Sequence, residues 1–454
     1  MGAGTYINST QAWCPACKRT ELARIVARPG GVFLERMCPK GVASVKIAAD
    51  YKWYLERMEH AAAPVSRPPA GTKLKGCPSD CGPCALHAGG LRLPVFSITN
   101  DCNLNCPKCF TFNRQDLKYY KSVADTKKII KEIVRLSGGV QVLNITGGEP
   151  TLHPNLPGII KACRHPKIKR ITMNTNGLRL AREPQLAADL KALGVQVVLS
   201  VDTFDGAKSR KIAGRDITRE KRKALEALEK HGVPTTILCT CIKGVNDEEV
   251  ADITRAYLPL GFMRSVTIQN MTYTGKNGSE FKPRRHITID EVEDLLAAAG
   301  PFAKEDFFPL GNYHPLCYSV AYYLRSGGRL TPLAKLADRG RLSAAAAGGY
   351  LPEPDAALAR ELLDGVSRLW AEGADETVIR GLRAQAAAYQ RGGAAPEENI
   401  RAVYIHPHMD EDNFDTDRVS RCGDLVPDES GRMIPACSYN LLYRQLDPRF
   451  WVEK

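Results

Sequence analysis

From Leu93 onward, short apolar runs alternate with amphipathic stretches, and the alternation repeats about six times before Asn270. The runs LPVFSIT (93–99), VQVLNIT (140–146), KRITMN (169–174), VQVVLSVD (195–202), TTILCTCI (235–242) and SVTIQN (265–270) have the length of strands. Between them, TKKIIKEIVRLS and LAADLKALG show helical periodicity, with Ile129, Ile130, Ile133 and Val134 on one face. Strands alternating with helices predict βα units and a parallel sheet. Six such units over residues 91–285 predict an α/β fold, an incomplete (βα)6 barrel.

The flanks read differently. Residues 286–454 turn helix-rich, with ITIDEVEDLLAAA, an Ala- and Arg-rich stretch from Leu336 to Gln390, and LSAAAAGGYLPEPD as a flexible turn between helical pieces. Residues 1–60 carry Cys14-Pro15-Ala16-Cys17 and, after GVFLERM, Cys38-Pro39, the pattern of a small cysteine-rich metal ribbon. AAAPVSRPPAGTK (61–73) has no periodicity and is the expected linker, so that 61–90 comprises a linker and a second cysteine motif.

Composition narrows the class. With 454 residues, 44% hydrophobic and 25% charged, the chain has the balance of a folded, soluble protein of two or three domains. It contains no run of about 18 apolar residues, and its N-terminus lacks the basic-then-apolar order of a signal peptide. A cytoplasmic protein without a transmembrane segment is expected. Fifteen closely spaced cysteines in a long chain without a secretion signal point to metal ligation, not to disulfides. The formal charge of +13 leaves open an anionic partner or merely a basic surface. Aromatic residues, 7% of the chain, are not interleaved with a basic stripe, which disfavours a zinc-binding nucleic-acid module.

The chemistry concentrates after the first barrel strand, in Asp101-Cys102-Asn103-Leu104-Asn105-Cys106-Pro107-Lys108-Cys109-Phe110. Three thiolates so spaced on one loop can ligate three corners of a four-iron cubane and leave the fourth iron open; a zinc ribbon is the competing reading. An open iron can chelate the amino and carboxylate groups of S-adenosylmethionine, whose sulfonium bond one electron then cleaves. About forty residues later, Asn144-Ile145-Thr146-Gly147-Gly148-Glu149-Pro150 ends the second strand. Two glycines there let backbone approach a ligand closely, and the adjoining carboxylate can receive an ammonium group.

The cysteine loop, the aromatic Phe110 and Gly-Gly-Glu-Pro one strand later together resemble the radical S-adenosylmethionine superfamily over about residues 91–270. The resemblance implies a partial (βα)6 barrel with the cofactor across the carboxyl ends of its strands. It implies that Cys102, Cys106 and Cys109 hold a 4Fe-4S cluster and that Gly147, Gly148 and Glu149 meet the methionyl amino group. It further implies that strand ends at Asn174 to Asn176 and Ser200 to Asp202 approach the ribose; each of these residues also reads as a polar cap of its strand. No catalytic residue is named by it.

Cys77-Pro78-Ser79-Asp80-Cys81-Gly82-Pro83-Cys84 repeats the spacing, but without a strand before it or an aromatic after Cys84, so an auxiliary cluster is expected there. A fourth ligand must come from afar, from Cys317, Cys422 or Cys437, each of which also reads as a buried thiol. With these motifs the similarity extends over nearly the whole chain, to the group of radical enzymes typified by archaeal dihydropterin methyltransferase and tetraether lipid synthase. That group implies carbon–carbon bond formation at an unactivated carbon and one or two auxiliary 4Fe-4S clusters. It also implies mononuclear iron or zinc in a rubredoxin-like N-terminal module, and a low-potential electron donor such as ferredoxin or flavodoxin. The expected substrate is a pterin-like or other small molecule, which is methylated; lipid chain coupling is the alternative. Two departures stand out: Cys38-Pro39-Lys40-Gly41 replaces Cys-Pro-x-His-Gly, leaving Cys14, Cys17 and Cys38 without an obvious fourth ligand, and Cys422-Gly423 replaces a double cysteine.

Several residues carry open readings. Cys239 and Cys241 share a strand face and can enter the barrel, although buried free thiols are commoner, and Cys163 in a helix reads the same way. His406, His408, Asp410 and Asp412 form either a metal site or a polar turn before Arg418. Lys243 and the KSRK run at 208–211 either meet an anion or are solvated.

Overall fold

The structure, a computed structural model, describes residues 4–60, 76–82, 84, 86–111, 116–275, 280–311, 313–326, 328–353, 356–391, 398–447 and 449–450. The expected linker at 61–73 and residues 354–355 of the expected flexible turn lie outside these.

Strands β1 (Thr5–Cys14), β2 (Arg19–Arg28), β3 (Gly31–Cys38) and β4 (Gly41–Ala48) form an antiparallel sheet in chain order. One face buries Ala23, Ile25, Leu34 and Ala48. Helix α1 (Tyr51–Met58) follows, capped by the Asp50 side chain, which accepts the Trp53 N–H. It ties the sheet to the rest of the molecule. The buried Arg57 guanidinium donates to the carbonyls of Pro315 (2.8 Å) and Tyr318 (2.7 Å) and lies 3.4 Å from the buried Glu293 carboxylate.

The central sheet begins with β5 (Leu93–Ser97), β6 (Val140–Thr146), β7 (Ile168–Thr175), β8 (Val195–Ser200), β9 (Thr235–Cys241) and β10 (Met263–Asn270), all parallel and adjacent in chain order. These coincide with the six predicted runs to within a few residues. The first crossover helix, α2 (Val123–Ser137), shows why the sequence folds locally: the Ser122 hydroxyl accepts the Asp125 N–H, and Gly138 ends the helix in the left-handed region at φ 72°. Ile129, Ile130 and Ile133 are its buried stripe. Along β9 the alternation is clean: Ile237, Cys239 and Cys241 face the helices, while Thr236, Leu238 and Thr240 face the barrel interior. Cys239, Cys241 and Cys163 are therefore core thiols.

The downstream region contributes strands as well as helices. β11 (Phe308–Pro309), β12 (Ser319–Ser326), β13 (Arg329–Pro332), β14 (Ile400–Ile405), β15 (Asp424–Pro427) and β16 (Met433–Pro435) extend the sheet on both edges. β14 lies parallel to β10 and β15 parallel to β5, giving eight parallel strands in a row. Among the described residues the row does not close by strand pairing. Instead, hydroxyls of Tyr313 (2.8 Å), Tyr350 (2.8 Å) and Tyr318 (2.6 Å), next to the β12–β14 edge, converge on the Asp424 carboxylate of β15 at the other edge. The stretch expected as a flexible turn instead begins inside the helix Arg339–Ala345 and then presents Tyr350 to this cluster.

Candidate functional site

The ends of β5 and β6 position the cysteine loop. Gly148 N–H donates to Thr99 O (2.8 Å) and Glu149 N–H to Asp101 O (2.7 Å), so β6 grips the base of the loop. A Cβ on Gly147 would stand 2.3 Å from Thr99 O, and one on Gly148 2.3 Å from Asp101 O. The two glycines are thus required for the strand end to approach the loop. Glu149 is buried, and its Oε1 accepts from the Thr151 N–H and from the hydroxyls of Thr151 and Thr175. Its Oε2 accepts the Asn176 N–H (2.7 Å), and the Asn176 amide reaches back to Asn103 in the loop (2.7 Å). One carboxylate therefore ties β6, β7 and the loop together, with lone-pair capacity left on Oε2.

Lys108, between the second and third loop cysteines, is held by Asp202 at 2.5 Å and Thr240 at 3.2 Å. Asp202 also accepts the Thr240 N–H (2.9 Å). It fixes the loop and does not line the cavity, whereas Asn174, Asn176 and Ser200 do. Asn174 Oδ1 is buried without a hydrogen-bond partner among the described residues. Next to them, the Lys221 ammonium donates to Asn176 O (2.6 Å) and Ser200 Oγ (3.1 Å). Burial, reinforced by the nearby Lys108 charge and opposed by Asp202, brings its pKa down to about 8. Like Asp202, Lys221 does not line the cavity; it braces Asn176 and Ser200, which do.

Cys102, Cys106 and Cys109 stand at one end of a cavity of about 420 Å³. Burial first, and then the charges of Glu149 and the other two thiols, push the Cys102 thiol up to about 12. A bound cation reverses that balance, because metals take thiolates. The cavity continues through the barrel past Arg170, Thr172, Gln196, Thr236 and Gln269 to Tyr318, Tyr350 and His406. His406 stacks on Tyr318 with centroids 3.8 Å apart. Burial brings the pKa values of His406 and His408 down to about 3, so both imidazoles are neutral.

The other cysteines fall into three sets. The sulfurs of Cys14, Cys17 and Cys38 all lie within 4.8 Å of one another, the one set of three cysteines so gathered among the described residues. Sulfurs on one tetrahedral ion at about 2.3 Å stand roughly 3.8 Å apart, so this set fits a single iron or zinc. Burial opposes ionisation of Cys14, but hydrogen bonds from the Cys17 and Ala16 backbone and from Cys38 hold its pKa below the ordinary thiol value. Cys77, Cys81 and Cys84 line a small cavity against Val419, Ser420 and Pro435. Cys317, Cys422 and Cys437 neighbour one another electrostatically, and Cys437 Sγ lies 3.7 Å from His408 Nδ1. Cys77 and Cys437 meet in one apolar cluster with Trp13.

The HPHMDEDNFD segment divides. His406 and His408 face the cavity, while Asp410 accepts from His286 Nε2 (2.9 Å) and the Tyr273 N–H, and Asp412 pairs with Arg284 (3.1 Å). Although His286, Asp410 and Asp412 are grouped tightly enough for an ion, the Arg284 guanidinium already supplies positive charge there. Lys243 pairs with Glu291 (2.7 Å), and Lys208 of the KSRK run pairs with Glu248 and Glu249. Both are internal ion pairs. Residues that sequence reasoning missed are Lys221, Tyr318, Tyr350 and Asp424. Lys221 sits on an amphipathic helix with no local signal, and the tyrosine–carboxylate cluster joins positions about a hundred residues apart.

Residues 96–256 match the model of the Radical SAM superfamily, so the chain carries a radical SAM domain over that stretch. The family implies a 4Fe-4S cluster with S-adenosylmethionine. The chain is 25% identical to a 7,8-dihydro-6-hydroxymethylpterin dimethyltransferase of Methanocaldococcus jannaschii, over 96% of this chain and 94% of that protein. It is 32% identical to a probable GTP 3′,8-cyclase of Pyrococcus abyssi, over 35% of this chain and 50% of that protein. A crystal structure of Streptococcus suis SuiB bound to S-adenosylmethionine superposes with a TM-score of 0.34 and 23% identity, over 40% of this chain and 41% of that one. Among the described residues, no helix is long and apolar enough to cross a membrane.

Proposed function

We propose that the chain reductively cleaves S-adenosylmethionine and uses the resulting radical to form a carbon–carbon bond on a polar, pterin-like small molecule, in a methyltransferase-type reaction in the cytoplasm. The observation that carries this reading is the continuous cavity leading from the three loop thiols into a barrel interior lined by Arg170, Thr172, Gln196, Thr236 and Gln269. Its volume of about 420 Å³ is that of a small-molecule site. Full-length similarity to a dihydropterin dimethyltransferase supports the same substrate class. Val142, Val198, Leu238, Ile400 and Ala402 line the same cavity, and lipid chain coupling is the alternative reading that the experiment decides.

In this reading Cys102, Cys106 and Cys109 are the cluster ligands. A reduced 4Fe-4S cluster bound there supplies the electron that breaks the sulfonium carbon–sulfur bond. Gly147, Gly148 and Glu149 hold the loop, and the remaining lone pair on Glu149 Oε2 receives the methionyl ammonium. Lys221 holds Asn176 and Ser200 in place at the cavity wall, and Asn174 and Asn176 face the ribose. Cys77, Cys81 and Cys84, and separately Cys317, Cys422 and Cys437, hold auxiliary clusters; Cys14, Cys17 and Cys38 hold one iron or zinc.

The test is anaerobic incubation of reconstituted protein with S-adenosylmethionine, dithionite, a methylene or methyl donor and either 7,8-dihydro-6-hydroxymethylpterin or an archaeal diether lipid. Mass spectrometry of a methylated pterin is the expected result. Coupled lipid chains with unmodified pterin overturn the substrate class.

A further inference from the structure

We infer that the solvent face of the N-terminal sheet, beside Cys14, Cys17 and Cys38, is the docking surface for a small acidic one-electron carrier protein. The inference rests on the function proposed above, which consumes one electron for each sulfonium bond cleaved. Leu22, Met37 and Val42 are 69%, 63% and 51% exposed. They form one row: Met37 pairs with Val42, and the register that pairs Ala23 with Arg36 sets Leu22 beside Met37. Directly opposite residues of antiparallel strands share a face. The alternate face of the same strands is already buried in the core, so this row is not a remnant of internal packing.

The row ends at the thiols. Cys14 pairs with Arg19 and Cys38 with Gly41 at the same end of the sheet. Around them Lys18, Arg19 and Lys40 are exposed, and the acidic neighbour Glu21 is engaged by Arg19 at 2.7 Å. An apolar centre with a basic rim is complementary to an acidic partner with an apolar centre of its own.

The position also leads inward. Cys14 is buried, and the adjoining Trp13 packs in one cluster with Cys437 and Cys77. A carrier seated on the row therefore sits at the sheet end that bears Cys14, Cys17 and Cys38, where Trp13 packs against Cys77 and Cys437. In balance, the carrier is oxidised by one electron and the sulfonium carbon–sulfur bond accepts it, giving methionine and the 5′-deoxyadenosyl radical without proton transfer.

The experiment titrates an acidic bacterial ferredoxin into the reconstituted full-length protein by calorimetry, and measures 5′-deoxyadenosine formation with reduced ferredoxin and, separately, with dithionite. Lys18→Glu/Lys40→Glu and Leu22→Ser/Met37→Ser are each expected to weaken ferredoxin binding by about tenfold and to slow the ferredoxin-driven rate, with the dithionite-driven rate unchanged. Added salt weakens binding to the wild type. No ferredoxin binding by the wild type, unchanged affinity in both double variants, or an equal fall of the dithionite-driven rate overturns the inference. Ferredoxin bound at this surface without dithionite-driven cleavage counts against the proposed function and leaves the docking surface standing.

Discussion

Both the N-terminal sheet and the barrel loop contain a Cys-Pro-x-Cys step, at 14–17 and 106–109, yet they build different sites. In the sheet the third thiol arrives from the end of β3, and all three sulfurs gather within 4.8 Å, Cys14 buried and Cys17 and Cys38 half-buried. In the barrel the third thiol is Cys102 on the same loop, and the three stand around the end of a deep cavity without gathering so closely. The short motif does not decide the metal; the origin of the remaining ligand and the space in front of the thiols do. A single ion needs convergence, whereas a cubane with one open corner needs separation and room for a ligand.

The sharpest way to separate the regions is to remove one thiol from each. Cys106→Ala is expected to abolish 5′-deoxyadenosine formation with dithionite, while Cys17→Ala leaves it intact, as measured by chromatography after anaerobic reduction. Equal loss in both variants would merge the two sites into one function. Next in size is the joint between the regions. Arg57→Ala leaves Glu293, whose carboxyl is pushed up chiefly by burial, without its cation. Denaturant unfolding should show a loss of about 3–5 kcal/mol.

Within the barrel, Lys221→Met should weaken S-adenosylmethionine binding by about 1–3 kcal/mol, because Asn176 O and Ser200 Oγ at the cavity wall lose their shared buried donor. The pH dependence has a definite sign. The Lys221 ammonium is charged, and donates to both cavity-wall oxygens, below about 8. Affinity is therefore full below pH 8 and falls as pH rises through that value, and the slope disappears in Lys221→Met. The smallest effect is expected at the edge cluster, where Asp424→Asn disturbs the acceptor of three tyrosine hydroxyls at a cost of about 1–3 kcal/mol. Thermal unfolding with the cofactor-cleavage rate unchanged would assign Asp424 to closing the sheet.

The fold was legible where information is local. Six strands, the apolar stripe of α2 and the position of the cysteine loop follow from periodicity and spacing. The two further parallel strands were hidden because Ile400–Ile405 and Asp424–Pro427 are short and are buried by partners far away in the chain. For the site, the thiols and Gly147-Gly148-Glu149 were visible, but the first duty of the glycines was not. They were read as making room for a ligand, and the structure places them against Thr99 and Asp101. Asp202 was read as a strand-end contact to ribose, and its partner is Lys108 of the loop. Each difference arises from a side-chain pairing between separate strands, which spacing along one strand does not encode.

The central claim is tested most directly by anaerobic reconstitution with iron and sulfide, metal counted per chain, followed by reduction in the presence of S-adenosylmethionine. Formation of 5′-deoxyadenosine, with about four irons and matching sulfide for each cluster, is the predicted result. Zinc as the sole bound metal, with S-adenosylmethionine recovered intact, would contradict the account.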